Sequence, residues 1–297
     1  MVDRKDLDAE RMEVRERYGW LVQAIGPRPI AFVTSVDEKG AVNLAPFSFF
    51  NGFGANPAVV AFSPTYRGVD GTAKDTLRNV VATREFTISV VTWPMVEQMN
   101  LASAEYGAEV DEFDKAGFTK LPGVKVRPPG VGESPLVMEG RLLQHVELGG
   151  KNASGNLLIG EIVLFRVVDS VLDEKGKVDP SKLDQVGRLG GNWYTRARAG
   201  LFELPKPTGL PLGFDALPPS VRASEVLTGA ELARLAGLTV RPDTSQWRES
   251  HVARYGTLSV RQLHEELRML LAEGRLDEAW SLAELGEDRA MRDCSIG

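Results

Sequence analysis

The stretch GPRPIAFVTSVDEKGAVNLAPFSFFNGF, residues 26–53, decides the fold prediction. Residues 29–36 are rich in β-branched and aromatic side chains, which favour a β-strand. DEKG, residues 37–40, has the composition of a turn, and AVNLAPFSFF then returns to strand-forming residues. This order predicts a β-hairpin.

Four further segments have strand-forming compositions, at residues 57–63, 85–92, 141–148 and 156–171. The last two are joined by the glycine-rich sequence GGKNASG, which indicates a second hairpin. At least six strands with few helices between them favour a mainly β fold, built as an antiparallel barrel.

Three helices are predicted beside these strands. One lies in the charged first 20 residues, and another lies around residues 94–106, where apolar side chains recur at helical spacing. The third begins near Thr72, because the spacing of Thr72 and Asp75 fits a capping box.

The composition changes after Tyr194. Residues 203–220, ELPKPTGLPLGFDALPPS, are rich in proline and glycine, which is typical of a connector. We therefore divide the chain into a domain at 1–202, a connector at 203–220 and a helical extension at 221–297.

Two capping-box pairs begin helices in the extension: Thr228 with Glu231, and Ser259 with Gln262. The second of these helices carries a leucine stripe. Residues 275–286 have the pattern of an antiparallel helix that packs against that stripe.

The overall composition limits the classes of function. The chain has 297 residues and a net charge of −6, so it lacks the excess of basic side chains that nucleic-acid binding requires. No apolar run approaches the roughly 20 residues that span a bilayer. The charged N-terminus lacks the apolar centre of a signal peptide, and we expect a cytoplasmic protein.

Metal-ligating residues are few. The chain has one cysteine, Cys294, and its three histidines are too scattered in sequence for a zinc motif. We expect no metal site. We also expect His251 and His264, in the helical extension, to be exposed to solvent.

Small polar side chains are concentrated among the strand-forming residues of the 26–53 stretch: Thr34, Ser35, Asn43, Ser48 and Asn51. A planar heteroaromatic ligand needs an apolar slot with a few such hydrogen-bonding groups, and an isoalloxazine ring fits this description. The other interpretation is that these are solvent-facing positions of a hairpin.

The sequence FSPTYRGVDGTAKDTLRNV, residues 62–80, has the outline of an anion site. Arg67 and Lys74 precede a helix whose first turn offers free N–H groups, and these groups and the helix dipole favour a phosphate. The other interpretation is a capped helix with solvated basic side chains.

Four ordered motifs resemble the flavin reductase-like, FMN-binding split-barrel family. They are RPIAFVTSVDEKGAVNLAPFSFFNGF, KDTLRNV, IGEIVLF (159–165) and RLGGNWY (188–194). The resemblance spans roughly residues 18–200. It implies a split β-barrel of antiparallel Greek-key type with flanking helices, FMN bound at a homodimer interface, and NAD(P)H as the electron donor.

The resemblance also implies roles for matching residues. Thr34, Ser35 and the Asn43–Asn51 loop are expected at the ring and ribityl chain, with Ser48 reaching the phosphate. The full set of expected FMN-binding residues is Thr34, Ser35, Asn43, Ala45, Pro46, Ser48, Phe49, Phe50, Asn51, Ser63, Arg67, Lys74, Asp75, Thr76, Trp193 and Tyr194.

Within this set, Lys74, Asp75 and Thr76, which we call the KDT residues, are expected at the phosphate. Trp193 and Tyr194 are expected either to border the ring or to cover it from a partner subunit. His145 is a candidate catalytic residue that contacts the nicotinamide or the flavin. The alternative is an ordinary half-buried histidine on a strand.

The implied function is an NAD(P)H-dependent flavin reductase that supplies reduced flavin to an acceptor or a partner oxygenase. Hydride transfer is the chemistry of the cofactors themselves, so the protein needs no catalytic triad. The alternative is a non-catalytic FMN-binding protein, or a reductase of ferric or other acceptors, whose helical extension covers the flavin or docks a partner. NADH and NADPH are both compatible with the pattern, as is FMN held either as a prosthetic group or as a substrate.

Overall fold

The computed structural model describes residues 3–294, and the side chains of residues 3–292. The chain divides into two compact units, the first ending at Phe202 and the second beginning at Glu203. Each unit has hydrophobic core clusters of its own. Among the described residues, no helix is both long and apolar enough to cross a membrane.

The first unit is built on β-strands. Their bounds are β1 Arg28–Pro29, β2 Ala31–Val36, β3 Val42–Phe47, β4 Phe50–Ala55, β5 Ala58–Phe62, β6 Glu85–Val90, β7 Lys120–Leu121, β8 Gly130–Val131, β9 Leu136–Leu148, β10 Gly155–Val167, β11 Val186–Arg188 and β12 Tyr194–Arg196. One seven-stranded antiparallel sheet has the order β3-β2-β6-β9-β10-β5-β4. Two smaller sheets have the orders β1-β11-β12 and β7-β8.

Both predicted hairpins are confirmed. β2 pairs with β3 across the DEKG turn, and β9 pairs with β10 across the glycine-rich turn. The large antiparallel sheet is confirmed as well. Its hydrogen bonding does not close into a barrel along residues 3–294, because β3 and β4 are edge strands with one neighbour each. The helices make the chain a mixed sheet-and-helix protein rather than a mainly β one.

All six residues of β2 are buried because the strand is covered on both faces. Successive side chains point to opposite faces of a strand. Phe32 therefore packs into a core cluster with Leu44 and Met95, whereas Val33 packs into a second cluster with Phe62. Burial on both faces explains why this strand reads as a nearly continuous apolar run.

The glycine of the IGEIVLF motif serves core packing. Gly140 in β9 and Gly160 in β10 lie against the ring of Phe86, and a Cβ on either glycine would come within 2.3 Å and 2.5 Å of that ring, respectively. Phe86 is fully buried and also contacts Phe62 edge-on, at 5.3 Å between ring centroids. The two glycines therefore make the space that the phenyl ring occupies.

The helices of the first unit are short. Their bounds are α1 Val14–Ala24, α2 Asp75–Thr83, α3 Val96–Leu101, α4 Glu112–Ala116 and α5 Pro180–Leu183. The predicted N-terminal helix is displaced, since it begins only at Val14. The residues before Val14 are mostly charged and exposed, so they have little apolar surface to bury against the sheet. The helix predicted around residues 94–106 is confined to α3, after a 3₁₀ turn at 93–95.

The predicted Thr72–Asp75 capping box is wrong. α2 begins at Asp75 with Lys74 as its N-cap residue, and no side chain caps it. The Thr72 hydroxyl instead donates to Asp70 at 2.8 Å. The Asp75 carboxylate is bound by Arg67 and Arg78. Both groups of the expected box therefore have other partners.

The second unit is helical. Its helices are α6 Pro219–Arg222, α7 Gly229–Ala236, α8 Ser245–Tyr255, α9 Val260–Ala272 and α10 Leu276–Cys294. Both predicted capping boxes are present, at the starts of α7 and α9. The leucine stripe of α9 packs in one core cluster with Trp280 and Ala283 of α10, as the pattern predicts. The side chain of Cys294 lies outside the described residues.

The prediction that His251 and His264 are exposed is wrong. His251 is 3% exposed and His264 is 4% exposed. His251 lies on α8, a helix that the sequence reading did not include, and its Nε2 is 3.4 Å from Oε1 of Glu278. His264 shares the buried face of α9 with Leu263 and Leu267, so its position on the leucine stripe outweighs its polar sequence neighbours.

Candidate functional site

Two adjoining grooves lie in the first unit. The smaller has a volume of about 290 Å³ and is lined by Ile25, Pro27, Arg28, Pro29, Ser48, Phe49, Phe50, Asn51, Phe53, Ala61, Ser63 and Leu157. The larger has a volume of about 510 Å³ and is lined by Val14, Arg17, Tyr18, Leu21, Phe49, Ser63, Thr65, Leu148 and residues 151–155. Phe49 and Ser63 line both grooves, so the two form one continuous surface.

α1 supplies one wall of the larger groove. Tyr18 contacts Phe49 edge-on, with their ring centroids 6.3 Å apart. Val14 and Leu21 add aliphatic surface, and Arg17 adds a cation. The opposite wall is the turn between β9 and β10. The larger groove is therefore mainly apolar, with cationic side chains among its lining residues.

A buried arginine lies at the floor of the smaller groove. The Arg28 guanidinium donates to Ser48 Oγ at 3.3 Å and to Leu189 O at 3.0 Å, and it also donates to the carbonyls of Val22 and Ile25. Burial lowers the pKa of Arg28. These bonds tie the C-terminal end of α1 to the strand end that carries Ser48, which fixes the Ser48 hydroxyl within the groove.

His145 reaches the groove through Asn156. His145 Nε2 is 3.1 Å from Asn156 Oδ1. The Asn156 backbone N–H donates to Ser63 Oγ at 3.1 Å, and its side-chain amide donates to Pro64 O at 3.2 Å. Asn156 is fully buried and holds the Ser63 hydroxyl in place. The sequence reading missed this residue, although an asparagine opening a strand after a glycine-rich turn is a signal for such a role.

The N-terminus of α2 gathers a second set of the expected residues. Asn43 Nδ2 donates to Thr76 Oγ1 at 2.9 Å, which joins β3 to the first turn of α2. Arg67 Nη2 lies 3.3 Å from Asp75 Oδ2. Lys74 Nζ lies over the Phe47 ring, 5.8 Å from its centroid.

Lys74 gives this cluster an unpaired positive charge. No carboxylate in residues 3–292 lies within ion-pair distance of its ammonium, although the charge of Glu105 acts on it from farther away. Burial lowers the pKa of Lys74, and Arg67 lowers it further, while Glu105 raises it. An anion bound beside the free N–H groups of α2 would stabilise this ammonium.

A small cavity of about 180 Å³ lies next to this cluster, and Asn43, Asp75 and Glu112 are among its lining residues. Glu112 Oε2 accepts the backbone N–H of Leu44 at 3.0 Å, on the edge strand β3. Burial raises the pKa of Glu112, and the bond from Leu44 lowers it to a smaller extent. α4 thus satisfies a backbone group that the edge of the sheet would otherwise leave unpaired.

Several of the expected residues lie neither in the two grooves nor at the N-terminus of α2. Thr34 and Ser35 are both fully buried on opposite faces of β2. The Thr34 hydroxyl has no hydrogen-bond partner among the described residues, and Ser35 Oγ accepts from Asn79 at 3.3 Å. Ala45 and Pro46 pair with β2 inside strand β3, so the expected 43–51 loop is mostly strand.

Trp193 and Tyr194 also lie away from the two grooves. The Trp193 side chain is 76% exposed. Tyr194 is in β12, where its hydroxyl donates to Asn100 at 3.4 Å and its ring lies under the Arg188 guanidinium. Neither residue lines the grooves within this chain.

The residues present fit a ligand that joins a planar ring to a phosphate. The grooves offer aromatic and aliphatic walls with the hydroxyls of Ser48 and Ser63. The start of α2 offers free N–H groups beside the unpaired charge of Lys74. Ser63, which lines both grooves, is joined to this helix start by residues 64–74 of the chain, and Lys74 itself lines neither groove. Flavin mononucleotide combines these two chemical features.

The first unit of the chain is similar to several known proteins. An uncharacterised protein of Halalkalibacterium halodurans is 37% identical over 204 residues, which cover 68% of this chain and 96% of that protein. The structure of nitrilotriacetate monooxygenase component B from Bacillus cereus has a TM-score of 0.65 and 30% identity, covering 69% of this chain and all of that one.

A second solved structure is similar to the same part of the chain. It is the 2-nitrobenzoate 2-nitroreductase of Pseudomonas fluorescens, with a TM-score of 0.62 and 27% identity, covering 70% of this chain and 98% of that one. The sequence model of the flavin reductase like domain matches residues 25–185, which is more than half of the chain. The chain therefore belongs to the flavin reductase-like domain family, and its chemistry is flavin-related oxidoreduction.

Proposed function

We propose that this protein is an NAD(P)H-dependent flavin reductase that binds FMN. The two adjoining grooves would hold the isoalloxazine ring, and the N-terminus of α2 with Lys74 would hold the phosphate. The observation that carries this proposal is that one segment of the chain runs from Ser63, in an apolar groove, to Lys74, whose ammonium has no ion-pair partner among the described residues. An apolar ligand alone would not need that charge.

The cofactor supplies the redox step, since a bound flavin accepts a hydride from a nicotinamide that lies against its ring. The protein binds and orients the reactants. Phe49, Tyr18 and Leu21 exclude water from the ring, and Ser48 and Ser63 offer hydroxyls to its polar edge. Arg28 holds Ser48 in position, and Asn156 holds Ser63.

The phosphate end is formed by three groups. The Lys74 ammonium provides the charge, the first turn of α2 provides N–H donors, and the Thr76 hydroxyl is oriented by Asn43. Arg67 and Arg78 neutralise Asp75, which would otherwise repel a phosphate. We place His145 in a supporting role, because it acts on the groove through Asn156.

With flavin bound, the site would supply reduced flavin to an acceptor or to a partner oxygenase. Similarity to a monooxygenase component supports the oxygenase partner. Similarity to a nitroreductase supports the second candidate, in which a small aromatic acceptor is reduced directly at the same site. We also propose that the chain works in the cytoplasm as a homodimer, whose second subunit covers the exposed edge strand β4 and brings Trp193 to the flavin.

We assign flavin binding to the domain at 1–202. The connector at 203–220 and the helical extension at 221–297 lie outside the matched family domain. We propose that this extension has a role other than flavin binding.

Steady-state oxidation of NADH and NADPH tests the proposal. The full-length protein is assayed with free FMN, with a ferric chelate and with 2-nitrobenzoate as separate acceptors. The reductase predicts protein-dependent oxidation with free FMN as the fastest case, and direct nitroreduction predicts that 2-nitrobenzoate is the fastest. Oxidation no faster than with FMN in the absence of protein contradicts both.

A further inference from the structure

The turn between β9 and β10 contacts the neighbouring loop, residues 63–74. The contacts are at the tip of this loop, residues 68–71. The Asn152 side-chain amide donates to Gly68 O at 3.3 Å and to Val69 O at 3.4 Å. Val69 itself is almost fully exposed, so no core packing fixes the loop tip. The conformation of the tip therefore depends on polar contacts.

Gly71 shows how closely the two segments fit. Its φ is +71°, in the region that favours glycine. A Cβ at this position would also lie 2.4 Å from Asn152 Oδ1. The backbone conformation therefore favours glycine at position 71, and a larger residue there would also displace the Asn152 side chain.

The same hairpin holds the loop at two earlier points. Asn156 binds Ser63 and Pro64 at the start of the loop. Further along, the Tyr66 N–H donates to Ser154 O at 3.0 Å. Asn152 completes this set by holding the tip, and it is the contact that lies nearest in sequence to Lys74.

The loop tip is coupled to the start of α2. Gly71 N–H donates to Arg67 O, and Arg67 N–H donates to Thr72 O, each at 2.9 Å. The Arg67 guanidinium then donates to Ala73 O at 3.0 Å and meets Asp75. A change at the tip would therefore move the residues on either side of Lys74.

We infer that Asn152 is a positioning residue that makes the site selective for a flavin carrying a 5′-phosphate. It fixes the loop tip so that the Arg67–Asp75 pair and the Lys74 ammonium are arranged for a phosphate before the ligand arrives. This inference rests on the proposed function. It goes beyond that function in naming the residue that separates FMN from riboflavin, which has the same ring without the phosphate.

The test measures equilibrium binding of FMN and of riboflavin to the full-length protein, by quenching of flavin fluorescence. For Asn152→Ala we expect about tenfold weaker FMN binding, as the loss of one or two hydrogen bonds predicts, and a clearly smaller loss of riboflavin binding, since Asn152 is also among the residues that line the larger groove. Glu174→Ala, in an exposed turn outside both grooves, is the control and should change neither affinity. Thermal unfolding checks that each variant is folded.

Gly71→Ala is a second, independent variant. It should weaken FMN binding selectively as well, and its effect should be smaller in the Asn152→Ala background, because the side chain that its Cβ meets is then absent. Equal weakening of FMN and riboflavin, or no change in either, would overturn the inference while leaving the proposed function intact. A wild-type protein that binds no FMN would overturn both.

Discussion

Lys74 is the residue on which phosphate binding depends in this account. Burial lowers the pKa of its ammonium in the free protein, and a bound phosphate raises that pKa by stabilising the charged form. Binding is then linked to proton uptake once the pH exceeds the pKa of the free protein. The part of the FMN affinity that depends on this charge is fully present below the pKa of the free protein and is lost as the pH rises from there through the higher pKa of the complex.

We therefore predict that the dissociation constant for FMN increases with alkaline pH in the wild type. In Lys74→Gln, binding is weaker by roughly tenfold or more and no longer depends on pH in this range. Fluorescence titrations over a pH series measure both effects. Lys39→Gln, at an exposed turn lysine, is the matched control, and riboflavin reports any titration of the ring itself. A pH dependence that persists in Lys74→Gln would remove Lys74 from the phosphate site.

At the scale of single residues, the sequence predicts local features, and the roles of the named residues towards a flavin stay predictions. The KDT residues and Ser48 were named from motif and helix-terminus arguments, and the structure gathers the KDT residues at one helix start. Asn152 and Asn156 were missed as site residues because their partners are about 90 residues away in sequence. Thr34 and Ser35 were placed together as neighbours in sequence, whereas strand geometry sends their side chains to opposite faces.

At the scale of elements, Phe86 links strands β6, β9 and β10. Gly160→Ala would place a methyl group against its ring, and we predict a loss of about 1–3 kcal/mol in the free energy of unfolding. Urea denaturation measures this loss. Phe86→Leu in the same background should recover part of it, because the smaller side chain leaves room for the methyl group. No recovery in the double variant would mean that backbone conformation, and not the ring, requires the glycine.

The hairpins were predictable because turn composition and strand composition agree within short segments. The start of α2 was not, since the Thr72–Asp75 spacing fits a capping box but both side chains bind elsewhere in the 67–78 segment. α8 was also missed. Its sequence, SQWRESHVARY, buries only His251 and Tyr255, so it shows little of the apolar periodicity that identifies a helix.

At the scale of the whole molecule, the two units have separate cores. Leu235 is fully buried in the core of the helical unit, together with Trp280 and Leu267. We predict that Leu235→Ala destabilises this unit by about 2–5 kcal/mol. Scanning calorimetry should show one transition shifted to lower temperature.

A second prediction concerns the thermal transition of the β-rich unit when FMN is added. A ligand stabilises the unit that binds it, so added FMN should raise the transition of the β-rich unit and leave that of the helical unit unchanged. Ala230→Gly, at an exposed position in the first turn of α7, is the control that removes no core packing, and it should shift the transition of the helical unit less than Leu235→Ala does. A single transition that responds to both FMN and Leu235→Ala would contradict independent units.

The two hairpins and the change of composition after Tyr194 follow from patterns that a single sequence displays. Closure of the sheet does not, because it depends on whether β3 and β4 meet, and no local pattern reports on the distance between two edge strands. The burial of His251 and His264 was missed for a related reason. Their environment is set by helices that pack together from distant parts of the chain.

The most direct test of the central claim is anaerobic rapid mixing of the FMN-loaded protein with NADH, and separately with NADPH, while the flavin absorbance is followed. We predict that the flavin band is lost faster than for free FMN with at least one of the two donors. Deuterium at the transferred position of the nicotinamide should slow this loss, because the hydride moves in that step. A bound flavin that stays oxidised with both donors would contradict the assignment of this protein as a flavin reductase.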